Sequence, residues 1–149
     1  MTGFRYPLAL TPAASLAPRE TGYVATFSDV PEAHAQGETA EEVFAEALDA
    51  LLAALGGYIE LHRPIPTPSR LKRGQRLVDL PPLVAAKLAL YQAMYEAGAS
   101  RAGLGRKLGV SEGAIRRLVD LDHRSHIGLV DDALAVLGKR LVVDVSDAA

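Results

Sequence analysis

The 149-residue chain contains no cysteine and no tryptophan, and only three phenylalanines and five tyrosines. Without cysteine there are no disulfides, no thiolate metal sites and no cysteine nucleophile, which fits a reducing compartment. No apolar run approaches the roughly 18–20 residues that a membrane-spanning helix requires. The segment YPLALTPAASLA (6–17) has the faint look of a secretory leader. Only one arginine precedes it and Pro7 and Pro12 interrupt it, so a cytoplasmic protein is expected. Glycine-rich phosphate loops, nucleophile elbows and dinucleotide fingerprints are also missing.

Histidine is scarce too. The four are His34, His62, His123 and His126, and only DHRSH (122–126) places two close together. A His-x-x-His pair with Asp122 lacks a second ligand pair at recognisable spacing, so no metal, cofactor or catalytic constellation is expected. The acidic cluster Glu38, Glu41, Glu42, Glu46 and Asp49 reads first as a solvated helix face and second as a landing surface for a basic partner.

What the chain does have is an uneven charge distribution. Residues 1–68 hold three basic and nine acidic side chains, a balance of −6, whereas residues 69–149 hold thirteen and nine, a balance of +4. Such a split points to two modules with different partners, the basic one suited to nucleic acid.

The first module reads as strands followed by a helix. In RYPLALT (5–11), Tyr6, Leu8 and Leu10 alternate with Arg5, Pro7 and Ala9, and Pro7 predicts an edge position or an irregular start. GYVATFS (22–28) predicts a second strand and Ala33–Gln36 a weak third. Thr39 and Glu42 form a capping-box pattern that opens an amphipathic helix over about 39–62, with Phe44, Leu48, Leu51, Leu52, Leu55 and Ile59 recurring at helical spacing. Three prolines in RPIPTPS (63–69) stop it, and RLVDL (76–80) reads as a last strand. The domains expected are therefore 1–68, with 76–80 as a candidate closing strand, a link at 69–81, and 82–149.

The second module is predicted to be helical over about 82–97, through 101–120 and over about 127–138, with RLVVDV (140–145) as a closing strand that either pairs with its two-fold mate in a dimer or caps its own chain. Its informative part is RAGLGRKLGVSEGAIRRLVD (101–120), which carries five basic side chains around two glycines four apart. That spacing is the one a helix-turn-helix needs. Leu104 and Leu108 face inward, Gly105 sits at the closest approach, and Gly109 turns the chain. Val110 buries the turn, Ser111 caps the second helix, and Ile115 and Leu118 face inward again. Ser111, Glu112, Gly113, Arg116 and Arg117 then point outward as candidates for base edges in a major groove, with Arg101, Arg106 and Lys107 suited to phosphates. The whole chain is thus read as α+β: a small antiparallel sheet with one helix, then an all-α helix-turn-helix domain with a short terminal strand.

The order of these parts resembles HicB antitoxins of the type that carries a C-terminal helix-turn-helix. The residues that carry the resemblance are RYPLALTPA, GYVATFSDVPEAHAQGETAEEVFAEALDALLAAL (22–55), IPTPS, VDLPPLVAAKLAL (78–90), LGRKLGVSEGAIRRLVDLDH (104–123) and ALAVLGKRLVV (133–143). The DVPEAHAQGET segment is the specific one. The departures are glycine rather than the commoner alanine at 105 and a longer first loop at 12–21.

The resemblance implies a first domain like a truncated ribonuclease H, which blocks a small basic RNA-cleaving toxin, HicA. It also implies a second domain that represses its own operon by binding operator DNA as a dimer or higher even-numbered oligomer. A basic toxin suits an N-terminal charge of −6, and Asp29, Glu32 and Glu38 are the candidate toxin contacts because they flank the specific loop. Ribonuclease activity is not expected, since strand 5–11 brings no carboxylate to a metal site. An effector-responsive repressor, with a small-molecule pocket beneath helix 39–62, is the rival from another class.

Overall fold

The structure, a computed structural model, describes residues 3–148. Alternating side chains produce the first strand, β1 (Arg5–Pro12), in which Tyr6 and Leu8 are 0% and 1% exposed. It is followed by β2 (Tyr23–Thr26), β3 (His34–Gly37), helix α1 (Ala40–Glu60) and β4 (Gln75–Asp79). These strands form one antiparallel sheet in the order β3-β2-β1-β4.

β1 is therefore an inner strand rather than an edge. Pro7 is accommodated because the two ladders are offset: β4 pairs with Arg5–Ala9, β2 with Ala9–Pro12, and only Ala9 is shared. At Pro7 the strand has a neighbour on one side only, which is the local condition under which a residue without an N–H can sit in a sheet.

Thr39 caps α1 as its sequence requires, its Oγ1 accepting from the Glu42 amide at 3.2 Å. The row that α1 buries is Val43, Ala47, Leu51, Leu55 and Tyr58, one residue round from much of the row expected. Phe44, Leu48, Leu52 and Ile59 are half-buried along its margin, and the Arg76 guanidinium lies 4.4 Å over the Phe44 ring. Small residues at 43 and 47 let the helix axis approach the sheet, so the larger neighbours are displaced to the flanks.

The proline segment 63–69 does not leave the first unit. Tyr6 donates its hydroxyl to the Pro66 carbonyl at 2.8 Å, Ile65 is buried, and Ser69 is held by Asp29. With β4 also in the sheet, the chain divides into two units at Pro81–Pro82.

The second unit is helical: α2 (Pro82–Ala97), α3 (Arg101–Leu108), α4 (Glu112–Val119) and α5 (Ile127–Val136). Its core is Leu88, Leu90, Leu104, Ile115, Val130, Ala133 and Leu134, each no more than 3% exposed. The closing strand expected at 140–145 is not formed. Residues 139–148 carry no secondary structure, and Val142, Val143 and Val145 are exposed. A strand must find a neighbour for its backbone groups, and the described residues of this unit include no strand to pair with. The Leu141 amide donates instead to Asp131 Oδ1 at 3.1 Å.

Among the described residues, no helix is long and apolar enough to cross a membrane.

Candidate nucleic-acid interface and partner surface

The helix-turn-helix is set by caps at both helices. Ser100 Oγ accepts from the Gly103 amide at 2.9 Å and opens α3, and Ser111 Oγ accepts from the Ala114 amide at 3.1 Å and opens α4. Between them Gly109 has φ +73°, the left-handed cap that releases the chain into the turn. A Cβ on Gly105 would lie 2.7 Å from the Val110 carbonyl oxygen, so the turn backbone is in contact with α3 at this point. This close approach leaves Val110 little to cover, and its side chain stays 37% exposed rather than burying the turn. Ile115 and Leu118 face inward at 0% and 5% exposure.

The outward positions divide by exposure. Ser111, Glu112, Arg116 and Arg117 on or before α4 are exposed, as are Arg106 and Lys107 on α3, while Gly113 and Arg101 are half-buried. α4 therefore presents two adjacent guanidinium groups on its solvent side, and a capped N-terminus beside them. Beside α4 opens a cleft of about 330 Å³ lined by apolar Leu108, Ala114 and Leu129 together with Arg117 and Arg124.

The histidines of DHRSH have structural partners. His123 Nδ1 lies 3.1 Å from Ser125 Oγ. His126 caps α5, its Nδ1 accepting from the Gly128 amide at 3.1 Å, which requires the neutral ring with its proton on Nε2.

One functional residue escaped the reading of the sequence. Lys87 on α2 is completely buried, and its ammonium donates to the Arg117 carbonyl at 2.8 Å, the Asp120 carbonyl at 2.7 Å and Ser125 Oγ at 2.8 Å. It adds a charged donor to carbonyls at the C-terminal end of α4 that also accept longer bonds, Arg117 from the Asp120 amide and Ser125 Oγ and Asp120 from the His123 amide, and a positive charge there suits the helix dipole. Burial pushes its ammonium below the ordinary lysine range, opposed by the charge of Asp120. The available signal was a single cation inside the apolar run LVAAKLAL, since lysine is almost never fully buried without partners.

In the first unit, the three carboxylates expected to meet a partner each tie down a loop. Asp29, half-buried, accepts from the Ser69 amide at 2.9 Å and its hydroxyl at 3.0 Å. Glu32 accepts from the Tyr58 hydroxyl at 2.8–2.9 Å and pairs with Arg63 at 3.4 Å, and Arg63 lies over the Tyr58 ring. Glu38 accepts from the Thr21 hydroxyl at 3.0–3.1 Å. Asp29 and Glu32 share the turn between β2 and β3, whereas Glu38 follows β3. Glu41, Glu46 and Asp49 of α1 are exposed, and none appears in an ion pair of the described residues.

Its own backbone amide and then the Tyr58 hydroxyl hold the Glu32 carboxyl below the ordinary glutamate value, against a smaller opposing effect of burial. A carboxyl with a folded pKa below its unfolded one stabilises the fold above the unfolded value. That contribution is lost as pH falls through the folded value. Thermal melts from neutral pH into the acid range should therefore show a loss of first-unit stability that Glu32→Gln lacks. Identical acid sensitivity in the two chains would rule this contribution out.

The fold and these sites define a two-unit protein, an α+β unit with an acidic helix face followed by a helix-turn-helix unit with a basic one. Residues 5–89 match the family described as HicB_like antitoxin of bacterial toxin-antitoxin system. The chain is 43% identical over 122 residues to Antitoxin HicB 2 of Photorhabdus laumondii, covering 82% of this chain and 86% of that one. It is 39% identical over 137 residues to Antitoxin HicB of Escherichia coli K12, covering 92% and 96%. To Antitoxin HicB of Pseudomonas fluorescens it is 40% identical over 122 residues, covering 81% and 84%. The chain belongs to the HicB-like antitoxin family.

Proposed function

We propose that this antitoxin neutralises a small, basic, HicA-like RNA-cleaving toxin through its first unit. Through its second unit it represses its own operon, binding operator DNA as a homodimer or higher even-numbered oligomer in the bacterial cytoplasm. It does so without catalytic activity of its own. The observation that carries this reading is the joining, in one chain of the family, of an acidic α+β unit to a capped helix-turn-helix with Arg116 and Arg117 exposed on α4. Glu41, Glu46 and Asp49 add to Asp29, Glu32 and Glu38 as the acidic surface a cationic partner would meet. The rival, an effector-responsive repressor, needs space beneath α1. Val43, Ala47, Leu51 and Leu55, all 0% exposed, fill that interface and favour the antitoxin.

The test is expression of the small open reading frame beside this gene, alone and together with the full chain, with growth and RNA integrity as readouts. RNA degradation by the neighbour alone and its suppression by this chain are expected. A neighbour that is harmless, or one that this chain does not bind, would return the effector-responsive repressor to first place.

A further inference from the structure

The first unit is acidic, yet four of its cations fall within seven residues: Arg70, Lys72, Arg73 and Arg76, all exposed. The segment between them is an ordered turn. The Lys72 amide donates to Gln75 Oε1 at 2.9 Å, the Gln75 amide donates to the Lys72 carbonyl at 3.1 Å, and Gly74 takes φ +82°. Arg76 is fixed by stacking on Phe44. Of the other cations in this unit, Arg5 pairs with Asp79 and Arg63 with Glu32, while Arg19 stands alone and exposed, away from any second cation in the sequence. Arg70, Lys72 and Arg73 make no ion pair among the described residues, and no carboxylate interrupts the run from Arg70 to Arg76.

Cations near an edge strand can simply discourage edge-to-edge pairing. Here β4 is the edge strand, but Arg70, Lys72 and Arg73 precede it and do not lie along its ladder. A compact cluster of unpaired cations on a fixed turn is instead complementary to a row of phosphates. We propose that the Arg70–Arg76 turn is a second phosphate-gripping surface, which contacts the backbone of duplex DNA flanking the site read by α4. This rests on the DNA-binding reading of the second unit.

The experiment measures binding of the full-length protein, over a range of salt, to a duplex from immediately upstream of its gene and to an unrelated duplex of equal length. In a chain carrying Arg70→Gln, Lys72→Gln and Arg73→Gln, the slope of log affinity against log salt should become shallower by about 2.7 per bound chain, about 0.9 for each phosphate released. Between about 50 and 200 mM salt the wild type then loses about forty-fold more affinity than the variant. Affinity should fall equally on both duplexes, because phosphate contacts carry no sequence information. The melting temperature and toxin neutralisation should be unchanged, and Arg70→Lys with Arg73→Lys should keep the wild-type slope.

An unchanged slope in the triple glutamine variant overturns the proposal, including the case in which that variant loses solubility or affinity for single-stranded RNA instead. If that happens while the wild type discriminates the upstream duplex, the reading of α4 stands and only this inference falls. A wild-type chain that binds neither duplex removes both.

Discussion

A full-length chain carrying Arg116→Ala and Arg117→Ala is expected to lose sequence-specific operator binding while still neutralising its toxin. Each good bidentate arginine–guanine contact is worth about 1–3 kcal/mol of discrimination. Two arginines per chain, doubled across a dimer, therefore supply about 4–12 kcal/mol. That matches or exceeds the roughly 4–10 kcal/mol that separates specific from non-specific binding. Both side chains are exposed, and Ile115 and Leu118 hold α4 to its core without them. The backbone carbonyl of Arg117, which Lys87 uses, is kept by alanine. The variant should consequently melt within about 0.5 kcal/mol of the wild type. Mobility shift on the upstream duplex and co-expression with the toxin read the two activities separately. Discrimination retained by the variant would move base readout to other residues. Loss of both activities in a folded variant would mean that the units do not act separately.

Lys87→Met should destabilise the second unit by about 3 kcal/mol, because it removes the short charged bonds and leaves the carbonyls of Arg117 and Asp120 with only the longer ones from Asp120, Ser125 and His123. Methionine has nearly the volume of lysine and avoids the desolvation of a buried charge, which works in its favour. Three hydrogen bonds from one ammonium outweigh that relief, since each bond to a charged group is worth about 1.5–3 kcal/mol. For a unit of this size the loss corresponds to a fall of about 12–24 °C in the melting temperature of the helix-turn-helix. If α4 reads the operator as proposed, operator affinity should fall with it, because the carbonyls in question end that helix. Scanning calorimetry on the full chain would detect the change in the second unit's transition while the first unit's stays in place. An unchanged or raised transition would show that packing around α2, and not the ammonium, sets the end of α4.

Much of the architecture was legible because it is written in local signals. Thr39, Ser111 and Gly109 mark helix ends by hydrogen bonding and by sterics that act within four residues, and α2 and α3 begin and end where the sequence puts them. Contacts that depend on tertiary geometry were not legible. The buried row of α1 runs through Val43 and Ala47 instead of Phe44 and Leu48, because both rows are apolar and periodicity does not say which one the sheet selects. The role of Lys87 is not written in local sequence, since two of its partners are backbone carbonyls 30 and 33 residues away. RLVVDV has the composition of a strand, but composition supplies no neighbouring strand. Asp29, Glu32 and Glu38 stand out in the sequence because they flank the specific loop, and the structure adds that each also anchors a loop. Substituting any of them therefore tests partner binding and loop order together.

The offset ladders of β1 bear on the order in which the antitoxin comes off the ribosome. Arg5–Ala9 finds its partner only when β4, with Asp79 lying 74 residues further on, has been synthesised and released. Until then that side of the first strand has no partner for its backbone groups. A chain halted before β4 is similarly exposed. Closure of the sheet is thereby a property of the first unit's full length, from Arg5 to Asp79, and not of its N-terminal half.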